Sequence, residues 1–170
     1  MTLTITNHQR TFPVDRKRLS ALVRQLSALA QRRTPGMVWQ EVAIHLLNDT
    51  GIAPINETIM GHTGATDVIT QRYDSCPGEP QGLRGELFVN VERAFTVPRR
   101  KQWTQEQELA LYLAHGLDHL TGADDATPAA RAKMRRRELA WLRSVAMPSR
   151  LGGTPSPYRL TRNTATIKIR

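Results

Sequence analysis

The sequence is poor in the features that mark secreted and membrane-spanning proteins. Its 170 residues include one cysteine, Cys76, so no disulfide can form within the chain. No apolar run approaches the roughly 20 residues of a membrane-spanning helix. The opening residues, 1–6, lack the basic region and apolar core of a signal peptide. These absences predict a cytoplasmic protein with no membrane contact, in which Cys76 is a passive loop residue.

Acidic residues are scarce at the end of the chain. Residues 147–170 carry five basic side chains and no acidic one, within a formal net charge of +9. The first 146 residues carry 19 basic and 15 acidic side chains. A basic balance favours polyanionic partners such as RNA, although a basic surface without a specific partner fits the charge equally well.

The apolar residues are numerous enough for one compact domain, at 39% of the chain. Glycine and proline interrupt any packing pattern near the C-terminus, at Gly152, Gly153, Pro155 and Pro157. We therefore predict a domain over residues 1–148 and a basic, flexible extension over residues 149–170. Weak alternation at residues 164–170 would allow one further strand in that extension.

Strand and helix patterns alternate along the predicted domain. Strand patterns occur at residues 2–6, 37–47, 66–72 and 85–91. Helical patterns occur at residues 15–30, 55–60, 104–121 and 128–145. This order predicts an α+β fold, in which a mixed sheet of about four strands packs against the helices.

Two histidines stand four positions apart on the third of these helices. Because each helical residue turns by about 100°, His115 and His119 return to within about 40° of each other on one face. Gly122 can adopt the left-handed conformation that ends a helix and turns the chain back toward Asp125. Two imidazoles and a carboxylate leave one position of a tetrahedral zinc ion open to water, as in catalytic sites.

The histidine pair therefore predicts one zinc ion per chain, held by His115, His119 and Asp125, with nickel, manganese or iron as possible substitutes. Asp124 is the alternative third ligand. A second interpretation is that the histidines are neutral, partly buried side chains that only need hydrogen-bond partners. The zinc-peptidase pattern H-E-x-x-H is not met, because Gly116 occupies the glutamate position.

Three motifs in order resemble the YbeY family of metal-dependent endoribonucleases, which mature ribosomal RNA. Residues 115–122 match the family signature H-G-x-L-H-L-x-G, except that Asp118 stands where the family usually has leucine. Asp125 occupies the third-ligand position, which is histidine in many relatives. Two earlier stretches, Ile55-Asn56 with 66–70 and then 85–87, match the other family motifs. The similarity covers roughly residues 1–146.

The resemblance implies a zincin-related fold with its metal site on a central helix. It also implies cleavage of single-stranded RNA in ribosomal RNA maturation and ribosome quality control, with ribosomal RNA and the small ribosomal subunit as partners. Asp118 and Glu86 are candidate proton acceptors, although Asp118 is equally expected to point to solvent. Met60 stands where many relatives carry an arginine suspected of handling phosphate, so that role does not transfer to this chain.

Basic stretches at residues 99–101 and 131–137 are candidates for holding the RNA backbone. Two other function classes stay open. The protein could bind RNA on the ribosome without cleaving it and use zinc only to stabilise its fold, which the absence of arginine at position 60 favours. A site of two histidines and one carboxylate could instead hold iron for oxygen chemistry, although the jelly-roll strand pattern common in such oxygenases is missing.

Overall fold

A computed structural model describes residues 1–73, 75, 78, 82–96 and 103–145. Within these residues the chain forms one α+β domain with four strands and five helices, which confirms the predicted fold class. In chain order the elements are β1 (Thr2–Asn7), α1 (Arg16–Arg32), β2 (Trp39–Leu47), α2 (Asp49–Met60), β3 (Val68–Tyr73), β4 (Leu83–Asn90), α3 (Val91–Thr96), α4 (Gln105–Leu120) and α5 (Pro128–Ser144).

The four strands form one mixed sheet in the order β1-β2-β4-β3. Strands β1, β2 and β4 run parallel, and β3 runs antiparallel to β4. Strand β1 lies at one edge of the sheet. The alternation along β2 fixes its two faces, because Val42, Ile44 and Leu46 are fully buried while the residues between them are partly exposed.

Helices α1 and α4 lie on this buried face of the sheet. The apolar residues of α1 recur at helical spacing, and Leu19, Leu22 and Leu26 are buried in the same core as α4. On the opposite face, α2 covers only one end of the sheet through a smaller cluster of Leu47, Ile52 and Ile69. The central position of α4 thus follows from an apolar stripe that packs between the sheet, α1, α3 and α5.

Two local predictions were wrong. Helix α2 begins at Asp49, six residues before the predicted start, because the side chain of Asn48 accepts the N–H of Gly51 and caps the helix there. Pro54 lies inside this helix and cannot donate a backbone hydrogen bond to the carbonyl oxygen of Thr50. The short helix α3 was missed, since its six residues follow β4 directly and only Val91 and Ala94 are buried.

Several predictions fall on residues outside the described ranges. They concern Cys76, the basic stretch 99–101 and the proposed extension 149–170, and these stay predictions. Within the described ranges, no helix is both long enough and apolar enough to cross a membrane.

Candidate metal centre on helix α4

Helix α4 carries the predicted ligands, begins at a side-chain cap and packs closely against the sheet. Thr104 and Gln107 form a capping box, in which each side chain accepts the backbone N–H of the other residue. Gly116 lies against the sheet, and a Cβ atom there would come within 2.7 Å of Leu87 Cδ2. The absence of a side chain at position 116 therefore lets the ligand-bearing turn of α4 approach β4 closely.

The two histidines point the same ring nitrogen toward each other. His115 Nε2 and His119 Nε2 lie 3.1 Å apart. On the far side of each ring, His115 Nδ1 lies 2.7 Å from Glu138 Oε1 and His119 Nδ1 lies 3.0 Å from the carbonyl oxygen of Ala123. Since a carboxylate and a carbonyl only accept hydrogen bonds, both Nδ1 atoms carry the proton and both Nε2 atoms face inward.

Asp125 completes the cluster as predicted. Gly122 has the left-handed φ of 84°, and the loop it begins brings Asp125 back to the histidines. Asp125 Oδ1 lies 3.8 Å from His119 Nε2, and Oδ2 lies 4.0 Å from His115 Nε2. The alternative ligand, Asp124, is exposed and accepts the N–H of Ala126 instead.

This donor set fits a metal ion. In a tetrahedral site with Zn–N bonds of about 2.0–2.1 Å, two nitrogens stand about 3.3 Å apart, close to the separation of the two Nε2 atoms. One ligand atom from each of the three residues lies within 4.8 Å of the others. Lone pairs that converge in this way repel one another unless a proton or a cation lies among them. The cluster can therefore hold one metal ion with two nitrogens and one oxygen.

Glu138 on α5 is the residue behind the cluster that sequence reasoning missed. Burial opposes protonation of His115, but the hydrogen bond to Glu138 and its negative charge, helped by Asp67 and Asp125, raise the pKa of His115. Glu138 is 1% exposed. The sequence does contain a signal for this role, since Glu138 is a lone glutamate in an arginine-rich helix. A buried carboxylate needs a partner across the interface.

The cluster lies in a cleft with two connected parts. One part, of about 210 Å³, lies between α4 and α5, and the other, of about 460 Å³, lies along β3 and the end of α2. His115, Asp125 and Asp67 line both parts. Asp67 Oδ1 also accepts the N–H of Val68. Its position next to Thr66 in the matched motif was the only sequence signal that it faces the cleft.

The expectation that Asp118 points to solvent is wrong. Asp118 is 0% exposed, and Arg137 of α5 donates to both of its carboxylate oxygens. Arg33 Nε, at the end of α1, lies 3.3 Å from Asp118 Oδ1. Burial raises the pKa of Asp118, against the hydrogen bonds and charge of Arg137 and the charge of Arg33. The carboxylate is thus occupied between three helices and does not line the cleft.

Glu86, the other predicted proton acceptor, also lies away from the cluster. In β4 it alternates with Gly85 and Leu87, which face α4. Glu86 therefore projects from the opposite face of the sheet, where its Oε2 lies 4.0 Å from His45 Nε2. The resemblance suggested a place near the metal cleft, and the register of the strand excludes it.

Comparison with known proteins agrees with this arrangement. Residues 4–146 match the family model described as Endoribonuclease YbeY. A Moorella thermoacetica protein of that name is 31% identical over 86% of this chain and 99% of its own length. A Rhodopirellula baltica protein of that name is 33% identical, over 70% of this chain and 61% of its own length.

A solved structure supports the fold. The solution structure of a Thermotoga maritima protein matches 83% of this chain and 87% of its own, with a TM-score of 0.52 and 20% identity. The match of the family model spans most of the sequence and contains the whole candidate metal centre, which confirms the predicted family and enzyme class. The chain belongs to the YbeY family of endoribonucleases.

Proposed function

We propose that this protein is a metal-dependent endoribonuclease that cleaves single-stranded RNA in the maturation and quality control of ribosomal RNA. The observation that carries the proposal is the convergence of two imidazole Nε2 atoms and the Asp125 carboxylate in an open cleft. Family membership supports the reaction class. Ribosomal RNA and the small ribosomal subunit are the proposed partners.

Zinc is the proposed metal, held by His115, His119 and Asp125, because mixed nitrogen and oxygen ligands with an open position suit it. When bound, the ion supplies a Lewis acid for a phosphoryl oxygen and lowers the pKa of a coordinated water toward about 7. Glu138 and the carbonyl of Ala123 orient the two rings. Such supporting groups keep ligands in one tautomer and one orientation.

The cleft favours a flexible substrate. The side chains of His115, His119 and Asp125 are 26–34% exposed, so the cluster is recessed but open. A single strand can bend into such a recess more easily than a stiff duplex can. Asp67 is our candidate proton acceptor in place of Asp118 and Glu86, because it lines both parts of the cleft without belonging to the cluster.

The test is cleavage of a single-stranded ribosomal RNA fragment by the metal-loaded protein. We expect cleavage at internal positions, loss of cleavage with a chelator, and recovery when zinc or another divalent ion is added back. A duplex of the same sequence should be cut much more slowly.

One observation favours a second candidate, an RNA-binding protein that uses its metal only for stability. Met60, half exposed, lines the cleft at the position where an arginine was expected from the family. A folded, fully metallated protein that binds the RNA and leaves it intact with every divalent ion would establish this alternative. Iron in the purified protein, together with RNA that stays intact, would instead favour oxygen chemistry.

A further inference from the structure

We propose that Arg131 and Arg135 of α5 bind RNA phosphates beside the metal centre, in the part of the cleft between α4 and α5. The inference rests on the proposed function and assigns RNA binding to two side chains on α5. It separates them from the other basic residues of the same helix, which the sequence alone cannot distinguish.

The cations of α5 fall into three groups by their surroundings. Arg137 is occupied by the buried carboxylate of Asp118. Lys133, Arg136 and Arg143 are exposed and line neither part of the cleft. Arg131 and Arg135 are four residues apart and so share one helical face. Both line the 210 Å³ part of the cleft together with His115 and Asp125.

The negative charge of this part of the cleft explains why RNA binding there requires basic side chains. Four acidic residues line the same part of the cleft: Asp67, Glu108, Asp125 and Glu138. A divalent ion would offset two of these charges and leave a net negative surface, which repels an RNA backbone. Among the described residues lining this part, Arg131 and Arg135 are the ones that carry positive charge. With them and a divalent ion, the lining of this part of the cleft becomes neutral.

The two guanidinium groups are also available to a ligand. The side chain of Arg131 is 65% exposed and that of Arg135 is 43% exposed. Their ion pairs are long, at 3.9 Å to Asp125 and 4.0 Å to Glu138. Arg131 also donates to the carbonyl oxygen of Asp125 at 3.3 Å. Since guanidinium has five N–H donors in a planar fork, both groups retain donors for a phosphate.

The experiment measures RNA affinity against salt with the full-length, metal-loaded protein. The probe is a five-nucleotide 2′-O-methyl oligoadenylate, short enough to report contacts near the cleft, and its integrity is checked after each titration. The test variant is Arg131→Gln with Arg135→Gln. The matched control is Lys133→Gln with Arg136→Gln, which removes the same charge from the same helix. Metal content is measured for each variant, because Arg131 contacts Asp125.

Two lost phosphate contacts should flatten the log-log salt slope by about 1.4, at about 0.7 per single-stranded contact. Affinity in about 0.1 M salt should fall about 25-fold, because each contact contributes a factor of about five there. The control pair should keep the slope of the parent. Arg131→Lys with Arg135→Lys should also keep it, since the charge stays, and this variant guards against a folding defect.

A glutamine pair that is fully metallated and keeps the slope of the parent would overturn the inference. Equal slope changes in the test and control pairs would overturn it too, because RNA binding would then depend on the overall charge of α5 and not on these two residues. Cleavage of unmodified RNA is measured in parallel. If the parent binds with the expected slope but cleaves no RNA, the proposed function fails while the phosphate assignment stands.

Discussion

The two sides of helix α4 carry polar clusters of opposite character. On the cleft side, His115, His119 and Asp125 are partly exposed, and their lone pairs converge on one point. On the core side, Asp118 is fully buried, one residue from His119, and is held by Arg137 and Arg33. The first cluster can offer its lone pairs to a cation, whereas the carboxylate of the second is already paired with two guanidinium groups.

The difference teaches how one short sequence motif can serve two purposes. Buried charge is tolerated only when it is paired and hydrogen-bonded, so the Asp118 cluster contributes to the joining of α1, α4 and α5 and has nothing left to offer a ligand. The cleft cluster directs two ring nitrogens and a carboxylate at one point, which gives it affinity for a cation. We expect substitutions on the two sides to separate metal binding from stability.

The largest effect is expected for His119→Ala, which removes one of the three proposed ligands. Metal content should fall from about one ion per chain to near zero, because a site with two remaining ligands holds zinc weakly. The free energy of unfolding of the metal-free protein should change little, since His119 is partly exposed. Metal analysis and chemical denaturation measure the two effects separately.

Asp125 offers the matched control for this experiment. Asp125→His should keep the ion, because imidazole and carboxylate both serve as zinc ligands, whereas Asp125→Ala should lose most of it. Unchanged metal content in His119→Ala would remove the site from α4 altogether.

The next largest effect is expected for Asp118→Ala on the core side. Removing one partner of a buried ion pair costs 3–5 kcal/mol, and about 3 kcal/mol is expected here because Arg33 and Arg137 keep 28% and 20% of their side chains exposed. The measurement is chemical denaturation of the metal-free protein. Asp124→Ala, at an exposed neighbouring carboxylate, should cost less than about 1 kcal/mol.

At a temperature where Asp118→Ala is still folded, it should bind metal with the stoichiometry of the parent. A loss of the ion from the folded variant would show instead that the two sides of α4 are coupled.

A smaller effect is expected for Glu138→Gln, which leaves the ligands in place and alters only the partner of His115. Groups that orient a metal-bound histidine typically contribute 10–100-fold to metal affinity, and a loss of that size is expected in a competition titration. Arg136→Gln is the matched control on the same helix, because Arg136 is exposed and lines neither part of the cleft.

The pH dependence of metal binding sharpens the same test. The metal requires an unprotonated Nε2, so affinity should fall as pH falls through the raised pKa of His115. In Glu138→Gln the pKa of His115 is lower, and the decline should move to lower pH. A decline that stays in place would show that Glu138 does not control the protonation of His115.

The sequence predicted much of this arrangement because the relevant signals are local. The spacing of His115 and His119 and the helix end at Gly122 each depend on a few neighbouring residues, and both are present in the structure. The partners of these residues come from distant elements. Glu138 reaches His115 from α5, and Arg33 reaches Asp118 from α1.

Such pairings depend on how helices pack, which periodicity within one helix does not encode. Asp118 shows the consequence most clearly. A charged residue was expected at the surface, but two arginines from other helices pair with its carboxylate and allow its burial. The face of the sheet on which Glu86 lies could not be predicted from β4 alone, because it is set by the pairing of β4 with its neighbours.

The most direct test of the central claim is X-ray absorption spectroscopy at the metal edge of the full-length, zinc-loaded protein. We expect two imidazole nitrogens at about 2.0–2.1 Å from the ion and oxygen ligands at about 2.0–2.2 Å, with no sulfur. His119→Ala should lose one imidazole contribution or the whole signal. A first shell of oxygen alone, or one that contains sulfur, would contradict the assignment of the metal centre to helix α4.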